Sequence, residues 1–193
     1  MKSQKSTLSV KTFKSSKELD AWLKKNHAKS TGVWLRFFKK ASGKRTFVYA
    51  EALDVALCYG WIDSLVHKYD ADSYVQKFTP RGAKSVWSKT NREHVARLIK
   101  AKRMTAAGLH AVDAAKKDGR WGRAYDSPRD SDVPHDFKKL LARDKKAATF
   151  FKALNRANVY AIAWRLQTAK KPETRERRMQ QIMTMLRNKQ KFH

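Results

Sequence analysis

At 193 residues, with 41% hydrophobic side chains that include six Trp and nine Phe, the chain holds enough apolar material for a sizeable core, which excludes wholesale disorder. Its single cysteine, Cys58, excludes an intramolecular disulfide framework and a Cys-rich zinc site, and suits a reducing, cytoplasmic compartment. Lys and Arg number 44 against 17 Asp and Glu, a formal +27 beyond the roughly 2–8 that solubility requires, and no apolar run approaches the roughly 20 residues needed to insert across a membrane.

The first residues, to Lys14, are polar and basic, without the apolar core of an export signal; residues 1–12 are expected to form a flexible tail. Ser15 and Glu18 have capping-box spacing and open a helix that puts Leu19, Trp22 and Leu23 on one face. Gly32 to Lys40 alternates Val33, Leu35 and Phe37 with Trp34, Arg36 and Phe38, the pattern of a half-buried strand. Aromatic and basic residues also alternate there as in a base-stacking platform, although aromatic strands more often face a core. After a turn at Ser42-Gly43-Lys44, Tyr49 to Tyr59 is helical and stops at Gly60. Trp61–His67 and Ser73–Thr79 read as a hairpin, ended by Pro80-Arg81-Gly82. Thr90 and Glu93 again have capping-box spacing, and Thr105 to Lys117 is a further helix that ends at Gly119.

The Gly, Pro, Ser and Asp content of Arg120 to Pro134 marks a loop or linker. Beyond it only helical periods remain: Val159, Ile162, Ala163 and Leu166 form one stripe and, after Pro172, Met179, Ile182, Met183 and Leu186 form another. The expected fold class is α+β, a small antiparallel sheet packed with helices followed by an all-helical C-terminal region. The expected divisions are 13–127 for the α+β domain, 128–134 for the linker and 135–193 for the helices.

No dinucleotide fingerprint, phosphate loop or nucleophile elbow is present, and the six His residues lack metal-ligand spacing, so no cofactor, metal or catalytic residue is assigned. Cys58 falls near a helix end, where the dipole disfavours a thiolate, and reads as buried and inert. Two groups of residues remain. Trp61, Asp63, Arg81, Lys84, Ser85, Trp87, Ser88 and Asn91 concentrate polar and aromatic groups. They would line a ligand pocket, or else Asp63 and Arg81 would form a structural ion pair across the hairpin. Lys170, Lys171, Arg175, Arg177 and Arg178 crowd a helix start, where phosphate binding competes with a solvated, salt-bridged face. The charge is uneven: 13 basic and 2 acidic residues over 1–50 (net +11), 8 and 6 over 51–100 (+2), 12 and 7 over 101–150 (+5), and 11 and 2 over 151–193 (+9). Such basic ends attract nucleic acid and other polyanions at low salt.

The sequence also carries a family likeness. The order WL, GVWL, then YAEALDVALCYGWID (Tyr49–Asp63) and FTPRGAKSVWSKTN (Phe78–Asn91) resembles the YdeI/OmpD-associated, or bacteriocin-protection, family, and so do Met104–Gly108, Gly119–Trp121 and Ala169–Arg178. The resemblance extends from about Phe13 to Leu186. It implies a role in protection against bacteriocins or cationic antimicrobial peptides, without an assigned enzymatic activity. The resulting expectation is a non-enzymatic cytoplasmic protein binding an anionic partner. Its alternatives are an enzyme or receptor for a small molecule in the central cluster, and an interaction module built on the C-terminal helices.

Overall fold

The computed structural model describes residues 8–44 and 47–193. The chain divides into two compact units: one comprises the residues to Ser85 with Glu93–Asp118, the other Val86–Arg92 with Gly119–His193. Most of the tail expected at residues 1–12 lies outside the described residues, but Val10–Lys11 forms a short strand, β1.

In the first unit, β2 (Val33–Phe38), β3 (Trp61–Lys68) and β4 (Ser73–Pro80) join β1 in a sheet of order β1-β2-β4-β3. The three longer strands are antiparallel as expected; β1 adds a parallel pairing to β2. Period-2 alternation decides the faces. Val33, Leu35 and Phe37 are buried, while Trp34, Arg36 and Phe38 are half-buried on the other face. Arg36 is committed there: its guanidinium lies 4.5 Å from the Phe38 ring and 4.6 Å from Tyr69, and it binds Asp70 (2.5 Å) and the Ser73 hydroxyl (2.9 Å). The aromatic–basic alternation of this strand thus becomes an internal stack.

Helix α1 (Ser16–Asn26) starts where the Ser15 hydroxyl accepts from the Glu18 N–H (3.3 Å) and Glu18 accepts from the Lys14 N–H (2.9 Å). Its Leu19 and Leu23 enter the core. Helix α2 (Tyr49–Cys58) is buried along nearly its whole length and turns into β3 at Gly60, whose φ of +72° is open to glycine. Helix α3 (Lys89–Lys100) begins one residue before the expected Thr90 cap. Ser88 holds the position, its hydroxyl accepting from the Asn91 N–H (3.0 Å). Helix α4 (Ala106–Lys117) is capped by Thr105.

The second unit is helical in its regular elements: α5 (His135–Ala142), α6 (Lys145–Lys152), α7 (Arg156–Gln167) and α8 (Pro172–Arg187). Side-chain caps at Asp144 and Asn155 and a proline at the start of α8 set three of the boundaries. Both apolar stripes read from the sequence enter its core: Ile162, Ala163, Leu166, Met179, Ile182, Met183 and Leu186 are buried beside Phe137 and Leu141, with Val159 partly buried against them. The segment read as a linker packs with this unit, since Val133 joins the core and Arg120 and Ser131 are buried.

Candidate functional site

The eight pocket candidates divide between the two units. In the first, Trp61 is buried, its Nε1 donating to the His27 carbonyl oxygen (3.2 Å) and its ring edge-on to Trp22 at 5.9 Å, which makes it a core residue. Asp63 Oδ2 accepts from the Tyr49 hydroxyl (2.9 Å) and from Gln76 Nε2 (2.7 Å), and among the described residues these two are its side-chain partners. The expected Asp63–Arg81 ion pair is therefore not formed. Register explains why. Asp63 is aligned with Phe78 and Trp61 with Pro80, so Arg81 lies past the strand end, its N–H donating to the Gly60 carbonyl oxygen (2.9 Å). Gln76, two residues from Phe78 on the same face, takes the place Arg81 was expected to fill. The Ser85 hydroxyl accepts from the Gly82 N–H (3.0 Å), closing the turn that exposes Lys84.

In the second unit Trp87 is buried with its ring 4.9 Å from Trp121. Its carbonyl oxygen accepts from the Tyr125 N–H (3.0 Å), and the Lys89 N–H donates to Tyr125 (2.8 Å). Ser88 and Asn91 form the start of α3. Within each unit, Trp61 and Trp87 are core residues, Ser88 caps α3 and Ser85 closes a turn.

The basic run at the start of α8 separates into committed and uncommitted members. Arg175 forms a two-pronged pair with Asp136, and Arg178 donates to the Arg165 carbonyl oxygen (2.6 Å), satisfying an end carbonyl of α7. Lys170, Lys171 and Arg177 are exposed and pair with no carboxylate among the described residues. Arg177 and Arg178 also border a cleft of about 810 Å³ formed by α7, α8 and the segment that follows. Its other walls are Trp164, Arg165, Ile182, Met185 and Phe192, with Gln180, Gln181 and Thr184 at the rim. Burial, and then the like charge of Arg178, lower the pKa of Arg165.

Residues 11–111, more than half of the chain, match the family described as "Domain of unknown function (DUF8412)". Residues 130–189 match "Bacteriocin-protection, YdeI or OmpD-Associated". The chain belongs to DUF8412, and its C-terminal helices match the YdeI/OmpD-associated model. No curated protein and no solved structure matches it. The GWID and FTPR blocks thus lie in the DUF8412 region, whereas the cleft belongs to the YdeI/OmpD-associated region, which ends a few residues before Phe192.

Sequence reasoning missed two groups. In the YdeI/OmpD-associated helices these are Trp164, Arg165 and Phe192 of the cleft, together with the buried Asn158, whose Oδ1 accepts from the Phe192 N–H (2.9 Å) and the His193 N–H (3.1 Å). That side chain fixes Phe192 against Arg165. A fully buried Asn inside an apolar helical stripe was the one available signal. In the DUF8412 region the missed group is Asp54 with His94 and Arg97. Asp54 Oδ1 lies 2.7 Å from His94 Nδ1 and 2.7 Å from Arg97, which also reaches Oδ2 at 2.8 Å. Burial alone would raise the Asp54 pKa; hydrogen bonds and charge from Arg97 and His94 outweigh it and hold the carboxyl below the usual range. One helical turn on, burial pushes the Cys58 thiol up to about 11, which leaves it unreactive at neutral pH, as the sequence suggested.

Proposed function

We propose that this chain is a non-enzymatic, anion-binding protein that grips nucleic acid or another polyanion through Lys170, Lys171 and Arg177. The observation that carries this reading is that these three exposed cations have no carboxylate partner among the described residues, whereas their neighbour Arg175 is neutralised by Asp136. The net +9 over residues 151–193 and the +11 over 1–50 supply the long-range attraction. No element with a base-reading motif accompanies them, so the contact is to phosphate and independent of sequence. No helix among the described residues is long and apolar enough to cross a membrane, and the single buried thiol suits the cytoplasm. The description "bacteriocin-protection" supplies a setting of antimicrobial stress. A chain of +27 repels cationic peptides, so any protection runs through the anionic partner and not through their capture.

Fluorescence anisotropy with labelled single- and double-stranded oligonucleotides across a salt series tests this. Binding is expected at about 50 mM salt and should fall steeply towards about 200 mM, with a log–log slope of about 0.9 per phosphate contacted on duplex. Charge reversal of Lys170, Lys171 and Arg177 together should flatten the slope by about three such contacts. Absence of association at low salt would sink the proposal.

A further inference from the structure

The cleft on α7 and α8 combines two properties that polyanion binding does not require: apolar walls and, beside the exposed Arg177, two half-buried arginines, Arg165 and Arg178, without a carboxylate partner. The guanidinium of Arg165 lies 4.0 Å from the Phe192 ring centre and donates to the Ala161 carbonyl oxygen (3.1 Å). Arg178 donates to the Arg165 carbonyl oxygen and to the Thr168 hydroxyl. Arg177 has no hydrogen-bond or ion-pair partner among the described residues, so none of the three arginines meets a carboxylate there. Six of the acidic groups of this unit have partners other than these arginines: Asp136 with Arg175, Asp144 with Arg187, Asp126 with Lys89, Asp132 with Lys138, Asp130 with Ser127 and Glu176 with Gln180; the seventh, Glu173, stands one turn before Arg177 on α8 and forms no ion pair with it. Arg165, Arg177 and Arg178 therefore bring three positive charges to the cleft without a carboxylate among the described residues to neutralise them. Beside it stand Trp164, Met185 and Phe192, which present apolar surface to the same space.

These two properties restrict the occupant. An inorganic anion would neutralise the arginines and leave the apolar walls wet. A neutral apolar molecule would cover the walls and strip water from the guanidinium groups without replacing its hydrogen bonds. A molecule with both parts satisfies both. We infer that the cleft is a binding site for a small organic anion, a compact aromatic or apolar body bearing a carboxylate or phosphate. Its volume of about 810 Å³ falls within the range of small-molecule sites, about 300–1,000 Å³. The depressed pKa of Arg165, from burial and from the like charge of Arg178, agrees with a cation that a bound anion would stabilise. The inference shares Arg177 with the polyanion reading but does not rest on it, because the apolar walls, Arg165 and Arg178 play no part in that reading.

The probe is 8-anilinonaphthalene-1-sulfonate, compared with N-phenyl-1-naphthylamine, which has the same aromatic body without the charge. The full chain should bind the sulfonate saturably at one site, with enhanced, blue-shifted fluorescence. It should bind the neutral amine more weakly by about tenfold or more, the factor one charge-assisted hydrogen bond supplies. Arg177→Gln, an exposed change that removes no internal partner, should weaken the sulfonate and leave the amine unchanged. Lys146→Gln, which removes the same charge from an exposed position on α6, should change neither. Phe192→Ala should weaken both probes together. Displacement of the dye by 2-naphthoate or by 2-naphthyl phosphate then tells which head group the cleft prefers. Equal affinity for the two probes, equal effects of Arg177→Gln and Lys146→Gln, or displacement by an oligonucleotide would overturn the inference. The last of these would also assign the cleft to the polyanion surface, whereas oligonucleotide binding that leaves the dye in place keeps the two sites separate.

Discussion

Asp54 illustrates how one side chain ties two helices together. Its carboxylate projects from α2 and is met by His94 and Arg97, one turn apart on α3. Because the folded pKa is depressed, the carboxylate contributes its full stability above the unfolded value, about 3.9, and loses it as pH falls through the lower folded value. Asp54→Asn is expected to cost about 1–3 kcal/mol near neutral pH, the range for a lost charge-assisted hydrogen bond with one partner still partly hydrated. Urea unfolding at several pH values checks this: the gap between wild type and variant should stay constant above about pH 5 and close below about pH 4. A gap that does not change with pH would mean the charge is not what holds the helices. At this scale the sequence was only partly legible. The exposed cations Lys170, Lys171 and Arg177 could be read as a local run. The Asp54 cluster could not, because its partners lie 40 and 43 residues away. The cleft is harder still: Phe192 reaches Arg165 only because Asn158, 34 residues earlier, binds its backbone. Asp63 and Arg81 were legible as residue types, but their pairing depended on a register that composition does not specify.

Between elements, the close approach of α4 to the end of α2 depends on small residues. The Cys58 carbonyl oxygen, left without an intrahelical partner at the end of α2, accepts from the Thr105 hydroxyl (2.7 Å) and from the Thr105 N–H (3.1 Å). Thr105 therefore caps α4 and helps to cap α2. This brings the α4 backbone so near that a Cβ on Gly108 would lie 2.3 Å from the Cys58 carbonyl oxygen and 2.8 Å from its carbonyl carbon, both main-chain atoms that cannot rotate away. Gly108→Ala, which ordinarily favours a helix by about 1 kcal/mol, should here destabilise by about 1–3 kcal/mol or more through overpacking. Thermal unfolding followed by circular dichroism reads the sign, and a stabilised variant would show that the helices are not in this contact. Strong periods made most elements legible: the alternation of β2, the hairpin, and the stripes of α7 and α8. The two-residue β1 has no period to detect, and its parallel pairing is a tertiary choice. The start of α3 was misjudged by two residues because Ser88 and Thr90 are both competent caps, and the backbone bonds of Trp87 and Lys89 to Tyr125 on either side of Ser88 favour the first.

On the scale of the whole molecule, charge is the dominant and least balanced quantity. With 44 basic and 17 acidic residues, cations outnumber anions by 27. Repulsion of this kind disfavours the folded state relative to the expanded chain, in which the same charges lie farther apart. Added salt acts in two directions. It weakens attractive pairs such as Arg97 with Asp54 and Arg36 with Asp70, and it screens repulsion among the unmatched lysines and arginines. Exposed pairs are worth little, about 0–1 kcal/mol each, and several of those present are exposed on one or both sides. Repulsive terms are more numerous, and their screening should prevail. The melting temperature is accordingly expected to rise by several degrees between about 20 and about 200 mM sodium chloride, a range over which the Debye length falls from about 20 to about 7 Å. At low salt a polyanion such as heparin should raise it further, by binding the folded chain and neutralising the same groups. Differential scanning calorimetry in buffers of matched pH makes the comparison. A melting temperature that falls steadily with salt would mean that the ion pairs outweigh the surplus, and that the +27 is dispersed too widely over the surface to act as a field.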